Sequence, residues 1–139
     1  MEYLAPCLEA SERRGLSTLA LAHVGDAVYE VMVRTYLCTH GASSSKAMHR
    51  ATVERVSAPA QARAAALVLP LLTEEEQAVF RRGRNSNPRT VPRTCTREEY
   101  GYATALEALW GDLFLAGRRD RLQELFDVIV ASYGGLGGK

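Results

Sequence analysis

The sequence predicts an all-α fold in a single domain, and three observations carry that prediction. Apolar residues recur at helical spacing along nearly the whole chain, and no stretch alternates polar and apolar residues as a half-buried strand does. Helix-capping signals also stand in front of the periodic segments. With 139 residues the chain is long enough to bury a real core, yet too short for a catalytic domain plus a separate binding domain.

Taken in order, Ser17 can cap a helix that runs to about Leu37 and ends before Gly41. Ser43 to Ser45 supply caps for a second stretch to Val56. A third reads from about Ala58 to Leu72, with Pro59 in its first turn, where a missing N–H costs nothing. Thr73-Glu74-Glu75-Glu76 is a capping box that opens a fourth helix to about Arg84. From Asn85-Ser86-Asn87-Pro88 through Pro92 the chain is rich in turn residues and reads as a loop. Thr96-Arg97-Glu98-Glu99 is a second capping box, opening a long helix to Ala116 and Gly117, and a last helix covers residues 119–132. Residues 1–133 thus form the domain, and 134–139 a flexible, frayed glycine-rich tail.

Composition narrows the function classes. Seventeen basic residues against sixteen acidic ones give a net charge of +1, so any nucleic-acid footprint must be local. Only Lys46 and Lys139 are lysines, which leaves arginine forks suited to phosphate, although arginine-rich genomic composition gives the same bias. Cys7, Cys38 and Cys95 are odd in number and widely spaced, which argues against a disulfide framework and a zinc site. Glu2, Glu9 and Glu12 argue against a signal peptide. The longest apolar run, residues 64–72, is about half of the ~20 residues a membrane span needs. The expectation is a soluble cytoplasmic protein with no membrane association.

Two carboxylates stand out. On the first long helix Asp26 shares a face with Leu19, Ala22, His23, Tyr29, Glu30 and Val33, while Leu21, Val24, Val28, Val31 and Met32 cover the other side. A helix apolar nearly all round is expected to be buried on both sides, in a core or against a partner subunit, so Asp26 is expected in low dielectric. Glu107 sits in the same way among Tyr100, Ala103, Thr104, Trp110, Gly111 and Phe114. A buried carboxylate costs several kcal/mol or more unless paired, protonated or bound to a cation. One arrangement crosses the helices at Gly25 and Gly111, so that both acids grip one divalent ion; oxygen ligands without cysteine suit Mg²⁺ or Mn²⁺. The other pairs each acid with a buried arginine, Arg34 or Arg55 for example, or makes it a cap. The residues alone leave both open.

Weaker candidates surround this pair. His23, at i, i+3 from Asp26, reads either as a ligand or as a hydrogen-bonded core residue. Glu30 could act through a metal-bound water or mark a wet edge, whereas Glu74 to Glu76, Glu98 and Glu99 are first-turn acids with no catalytic need. Between Arg81 and Arg97 come Arg82, Arg84, Arg89 and Arg93 with no acid among them, on a segment containing Asn85 and other Ser, Asn and Thr donors. Such a loop suits phosphate and ribose contacts, and it leads into the helix that bears Glu107.

The segment Leu21-Ala22-His23-Val24-Gly25-Asp26-Ala27-Val28-Tyr29-Glu30 resembles the signature helix of the ribonuclease III family, and Glu107-Ala108-Leu109-Trp110-Gly111 resembles its second catalytic segment. The closer resemblance is to the family's short branch, the Mini-ribonucleases III, in Val56-Ser57-Ala58, Ala60-Gln61-Ala62, Leu72-Thr73-Glu74-Glu75-Glu76, Arg82-Gly83-Arg84-Asn85 and Tyr102-Ala103-Thr104-Ala105. It covers about residues 19–125.

The resemblance implies a single ribonuclease III-type endonuclease domain without a double-stranded RNA-binding domain. It implies a homodimer in which Mg²⁺, or Mn²⁺ in its place, helps hydrolyse opposite strands of an RNA duplex, with precursor 23S ribosomal RNA as substrate and a ribosomal protein or pre-ribosomal particle as a further partner. By match Asp26 and Glu107 are the catalytic metal-binding acids, and the loop with Arg84, Asn85, Arg89 and Arg93 helps choose substrates. Glu30 and Thr104 are expected as outer-shell support. The wider family's extra acids correspond here to Leu19, Ala22 and Thr104. The rival reading is a catalytically silent RNA-binding or ribosome-assembly module on the same fold.

Overall fold

The computed structural model describes residues 1–41, 44–86 and 90–134. Among the described residues seven α-helices follow one another: α1 (Ala10–Arg14), α2 (Thr18–Thr39), α3 (Ser45–Val56), α4 (Ala58–Val68), α5 (Glu74–Arg84), α6 (Arg97–Leu115) and α7 (Arg119–Ala131). No strand occurs among the described residues, and no described helix is long and apolar enough to cross a membrane.

The expected caps form. The Ser17 hydroxyl accepts from Ala20 N, Ser44 from Ala47 N and Ser57 from Ala60 N, while Thr73–Glu76 and Thr96–Glu99 close reciprocal capping boxes. Ser43, Asn87 to Arg89 and the tail from residue 135 lie outside the described residues. Two expectations need correction. The helix expected to reach Leu72 ends at Val68 and tightens into a 3₁₀ turn, Leu69–Leu71, because Pro70 has no N–H to continue the α ladder. The short helix α1 was not expected at all. It is held from outside: Arg13 Nε donates to Asp112 Oδ1 at 2.9 Å, Arg13 Nη1 to the Leu8 carbonyl at 2.7 Å, and Leu8 N to the Leu115 carbonyl at 2.7 Å. Five mostly polar residues, Ala10–Arg14, are too few to show an apolar period.

Helix α6 is the axis of the domain, packed against α2, α4 and α5, with Ala105, Leu106, Ala108, Leu109 and Trp110 fully enclosed. Trp110 meets Tyr29 edge to face at 5.3 Å and donates its indole N–H to Met32 Sδ at 3.3 Å. Helices α2 and α6 touch backbone to backbone, as the two glycines predict. A Cβ on Gly25 would lie 1.7 Å from the Glu107 carbonyl oxygen, and one on Gly111 would lie 1.9 Å from the Leu21 carbonyl oxygen. Asp26 follows Gly25, and Glu107 itself forms the other side of the contact, so this crossing sets the spacing of the two acids.

One buried acid is purely structural. Glu76 serves the α5 capping box and accepts from Arg121 Nε and Nη2, both at 2.9 Å. Burial pushes its carboxyl up, but the bonds from Arg121 and Thr73 outweigh this and hold it below the usual range.

Candidate active site

Two helices present the two acids at their crossing. The Asp26 carboxylate comes within hydrogen-bonding reach of Glu107, as the glycine contact requires. Burial first, and then the charge and closeness of Asp26, push the Glu107 carboxyl up from 4.5 to about 8. At neutral pH and without a cation, the pair therefore keeps a proton.

The arginine-pairing alternative fails among the described residues. Arg34 pairs with Glu30 at 2.6 Å and Arg55 approaches Glu54 at 3.6 Å, whereas neither Asp26 nor Glu107 has a cationic partner. Two acids held together with no positive charge beside them among the described residues form an arrangement that a bound cation would stabilise. No three His, Cys, Asp or Glu side chains converge among the described residues. The donor set is thus two carboxylates, which fits a hard ion that retains several waters.

Within the single chain, Asp26 is not buried. Its side chain is exposed, as are His23 and Ala27, while Leu19 is 70% and Val31 62% exposed. The apolar sequence all round α2 led to the expectation, but one chain covers only the side facing α6. The uncovered side carries an apolar stripe beside Asp26. Glu107 is half-buried.

The other candidates fall around the pair. Glu30 lies one turn beyond Asp26, tied to Arg34. Thr104 lies one turn before Glu107 and is buried; its hydroxyl donates to the Tyr100 carbonyl at 2.9 Å, leaving only lone pairs to receive a water. His23 joins no cluster of ligands. Sequence reasoning missed Gln61 as a site residue. It is 1% exposed on α4, its Nε2 donates to the Val56 carbonyl at 3.1 Å, and its amide dipole lowers the Glu107 carboxyl against the larger upward push of burial. Its Oε1 is buried with no partner among the described residues. The available signal was a lone amide in an otherwise alanine-rich helix.

The arginines gather at the end of α5. Arg82, Arg84, Asn85 and Arg93 are exposed, and none of Arg81, Arg82, Arg84, Arg93 or Arg97 forms an ion pair among the described residues. Arg89 lies outside the described residues. Arg84 stacks over the Tyr102 ring at 4.7 Å, and Gly83 packs so closely on α6 that a Cβ would lie 2.7 Å from Ala105 Cα. The end of α5 therefore meets α6 two residues before Glu107.

A family profile described as Ribonuclease III domain matches residues 19–118. The chain is similar to Mini-ribonuclease 3 of Thermoanaerobacter sp., 41% identical over 115 residues that cover 83% of this chain and 81% of that one. Against Mini-ribonuclease 3 of Enterococcus faecalis it is 40% identical over 121 residues, covering 86% and 92%. The crystal structure of protein FN1578 from Fusobacterium nucleatum matches with a TM-score of 0.77 at 31% identity, over 83% of this chain and 93% of that one.

Proposed function

We propose, from the premise that this chain belongs to the ribonuclease III family and to its Mini-ribonuclease branch, that it is a divalent-metal-dependent endoribonuclease acting on double-stranded RNA. The observation that carries the reading is the meeting of Asp26 and Glu107 at a glycine-built helix crossing, with no cationic side chain to neutralise them.

In this reading Asp26 and Glu107 hold Mg²⁺, for which Mn²⁺ can substitute. The bound ion supplies an activated water and charge neutralisation at the scissile phosphate. Glu107 would have to be ionised to hold the ion, and the Gln61 amide, which lowers that carboxyl, would favour the ionised form. Glu30 and Thr104 orient water around the pair. Arg82, Arg84, Asn85, Arg89 and Arg93 bind phosphates and riboses along the duplex, reading A-form shape rather than sequence.

The chain works as a homodimer, since the exposed apolar stripe of α2 needs a cover and two sites about a twofold axis suit antiparallel strands. Its substrate is the paired ends of precursor 23S ribosomal RNA in the cytoplasm, free or within a pre-ribosomal particle that offers a ribosomal protein as a further partner.

The test compares a long RNA duplex with its separate strands, each with Mg²⁺ or with chelator, and then a precursor 23S end structure. Cutting of the duplex alone, and only with Mg²⁺, is expected. Tight duplex binding without cutting in Mg²⁺ or Mn²⁺ would leave the silent binding module as the better account.

A further inference from the structure

A second polar site lies away from the two carboxylates. Helices α2, α3, α4 and α7 line a solvent-open pocket of about 240 Å³, whose polar wall comprises Tyr29, Glu54, Arg55, Arg63, Ser132 and Tyr133. This wall is rich in donors and poor in acceptors. The Arg55 side chain is only 11% exposed; its Nη1 donates to the Ala51 carbonyl at 2.9 Å, and its contact with Glu54 is a loose 3.6 Å to an acid that is itself 62% exposed. The Arg55 Nε–H is buried without a partner among the described residues, and so is the Tyr133 hydroxyl. The guanidinium sits 4.9 Å from the Tyr133 ring centre, so the aromatic face holds it at the cavity without neutralising it. Arg63 brings a second guanidinium, with no ion pair among the described residues. Ser132 spends its proton on the Ile129 carbonyl at 2.6 Å.

The buried Arg55 guanidinium thus faces one largely solvated carboxylate, with the exposed Arg63 guanidinium at the rim, and the buried groups left without a partner on this wall are the Arg55 Nε–H and the Tyr133 hydroxyl, which lies against that of Tyr29. Buried donors are normally satisfied, so the missing partner is an acceptor. The charge balance makes it an anion, and the planar fork of arginine matches an oxyanion that offers two oxygens at once. We infer that this cavity binds a phosphate-class oxyanion. Neither Asp26 nor Glu107 lines it, so the inference stands apart from the catalytic reading and either can fail alone. Two sources present the same chemistry: free inorganic phosphate or a nucleotide, and a backbone phosphate of bound RNA.

The experiment follows the Arg55 Nε–H resonance of the full chain by ¹⁵N NMR in metal-free buffer, so that no RNA is cut. Inorganic phosphate is titrated at constant ionic strength against chloride, and a short RNA duplex in a parallel series. A saturable phosphate shift absent with chloride is expected. Tyr133→Phe keeps the ring and removes the hydroxyl, and should weaken phosphate binding roughly ten-fold, the loss of one hydrogen bond to a charged group. Arg55→Lys keeps a charge, loses the fork and should bind several-fold more weakly, with circular dichroism reporting that both variants are folded. A duplex shift competed by phosphate assigns the site to the RNA backbone; a shift with phosphate alone assigns it to free phosphate. An Arg55 resonance unmoved by both, or phosphate affinity unchanged in both folded variants, would overturn the inference.

Discussion

Glu107 and Glu76 are both acids placed inside an apolar helix bundle, and what touches each one separates their roles. Glu76 has a guanidinium and two capping bonds, which explain it completely. Glu107 has only another acid and the Gln61 amide, so it is explained by something that must arrive. Asp26→Asn and Glu107→Gln should each lower Mg²⁺-dependent duplex cutting by about a thousand-fold or more, equivalent to roughly 4 kcal/mol of transition-state stabilisation, in variants whose melting shows them folded. Gln61→Leu keeps the volume and removes the amide, and should cost about ten- to a hundred-fold in metal affinity or activity, as other supporting contacts of metal ligands do. Isothermal titration with Mg²⁺ alongside the rate distinguishes that from a packing defect. Of these residues, Asp26 and Glu107 were legible because carboxylates on apolar helices are conspicuous. Gln61 was not, since its importance comes from α4 lying across α6, a contact no local pattern encodes.

At the scale of elements, the crossing of α2 and α6 is the feature on which the site depends. A methyl group at Gly25 or Gly111 would collide with carbonyl oxygens of the facing helix, and backbone cannot step aside as a side chain can. Gly25→Ala and Gly111→Ala should each destabilise the fold by more than about 3 kcal/mol, at or beyond the usual cost of overpacking a core, as read from the urea midpoint. A third position sets the scale: Gly15→Ala meets only a 3.4 Å contact and should be nearly neutral. Six of the seven α-helices among the described residues and the capping boxes at Thr73 and Thr96 were legible, because caps and apolar period are local physics, whereas the Glu9–Glu12 box that opens α1 was missed. The end of α4 at Val68 and the whole of α1 were not. Pro70 inside an apolar run did not reveal which turn would tighten, and α1 depends on a bond from Arg13 to Asp112, ninety-nine residues away.

For the whole molecule, exposure is the property that a single chain leaves open. The all-round apolar character of α2 predicted burial, yet a single chain leaves Leu19 and Val31 open beside Asp26. A sequence pattern records what a surface is built to touch and does not say whether the same chain or a second copy supplies the contact. A second copy should bury that stripe: Leu19→Arg with Val31→Arg should give a folded monomer by sedimentation velocity, while the unmodified chain sediments as a dimer. The central claim, that Asp26 and Glu107 share one divalent ion, is tested most directly by titrating Mg²⁺ calorimetrically at pH 7 in two buffers of different ionisation enthalpy. Because Glu107 titrates at about 8 without metal and must be ionised to act as a ligand, the account predicts release of about one proton per bound ion, with affinity falling as the pH is lowered. It also predicts loss of that binding in folded Asp26→Asn and Glu107→Gln variants. Metal uptake with no proton release, unchanged in both variants, would contradict it.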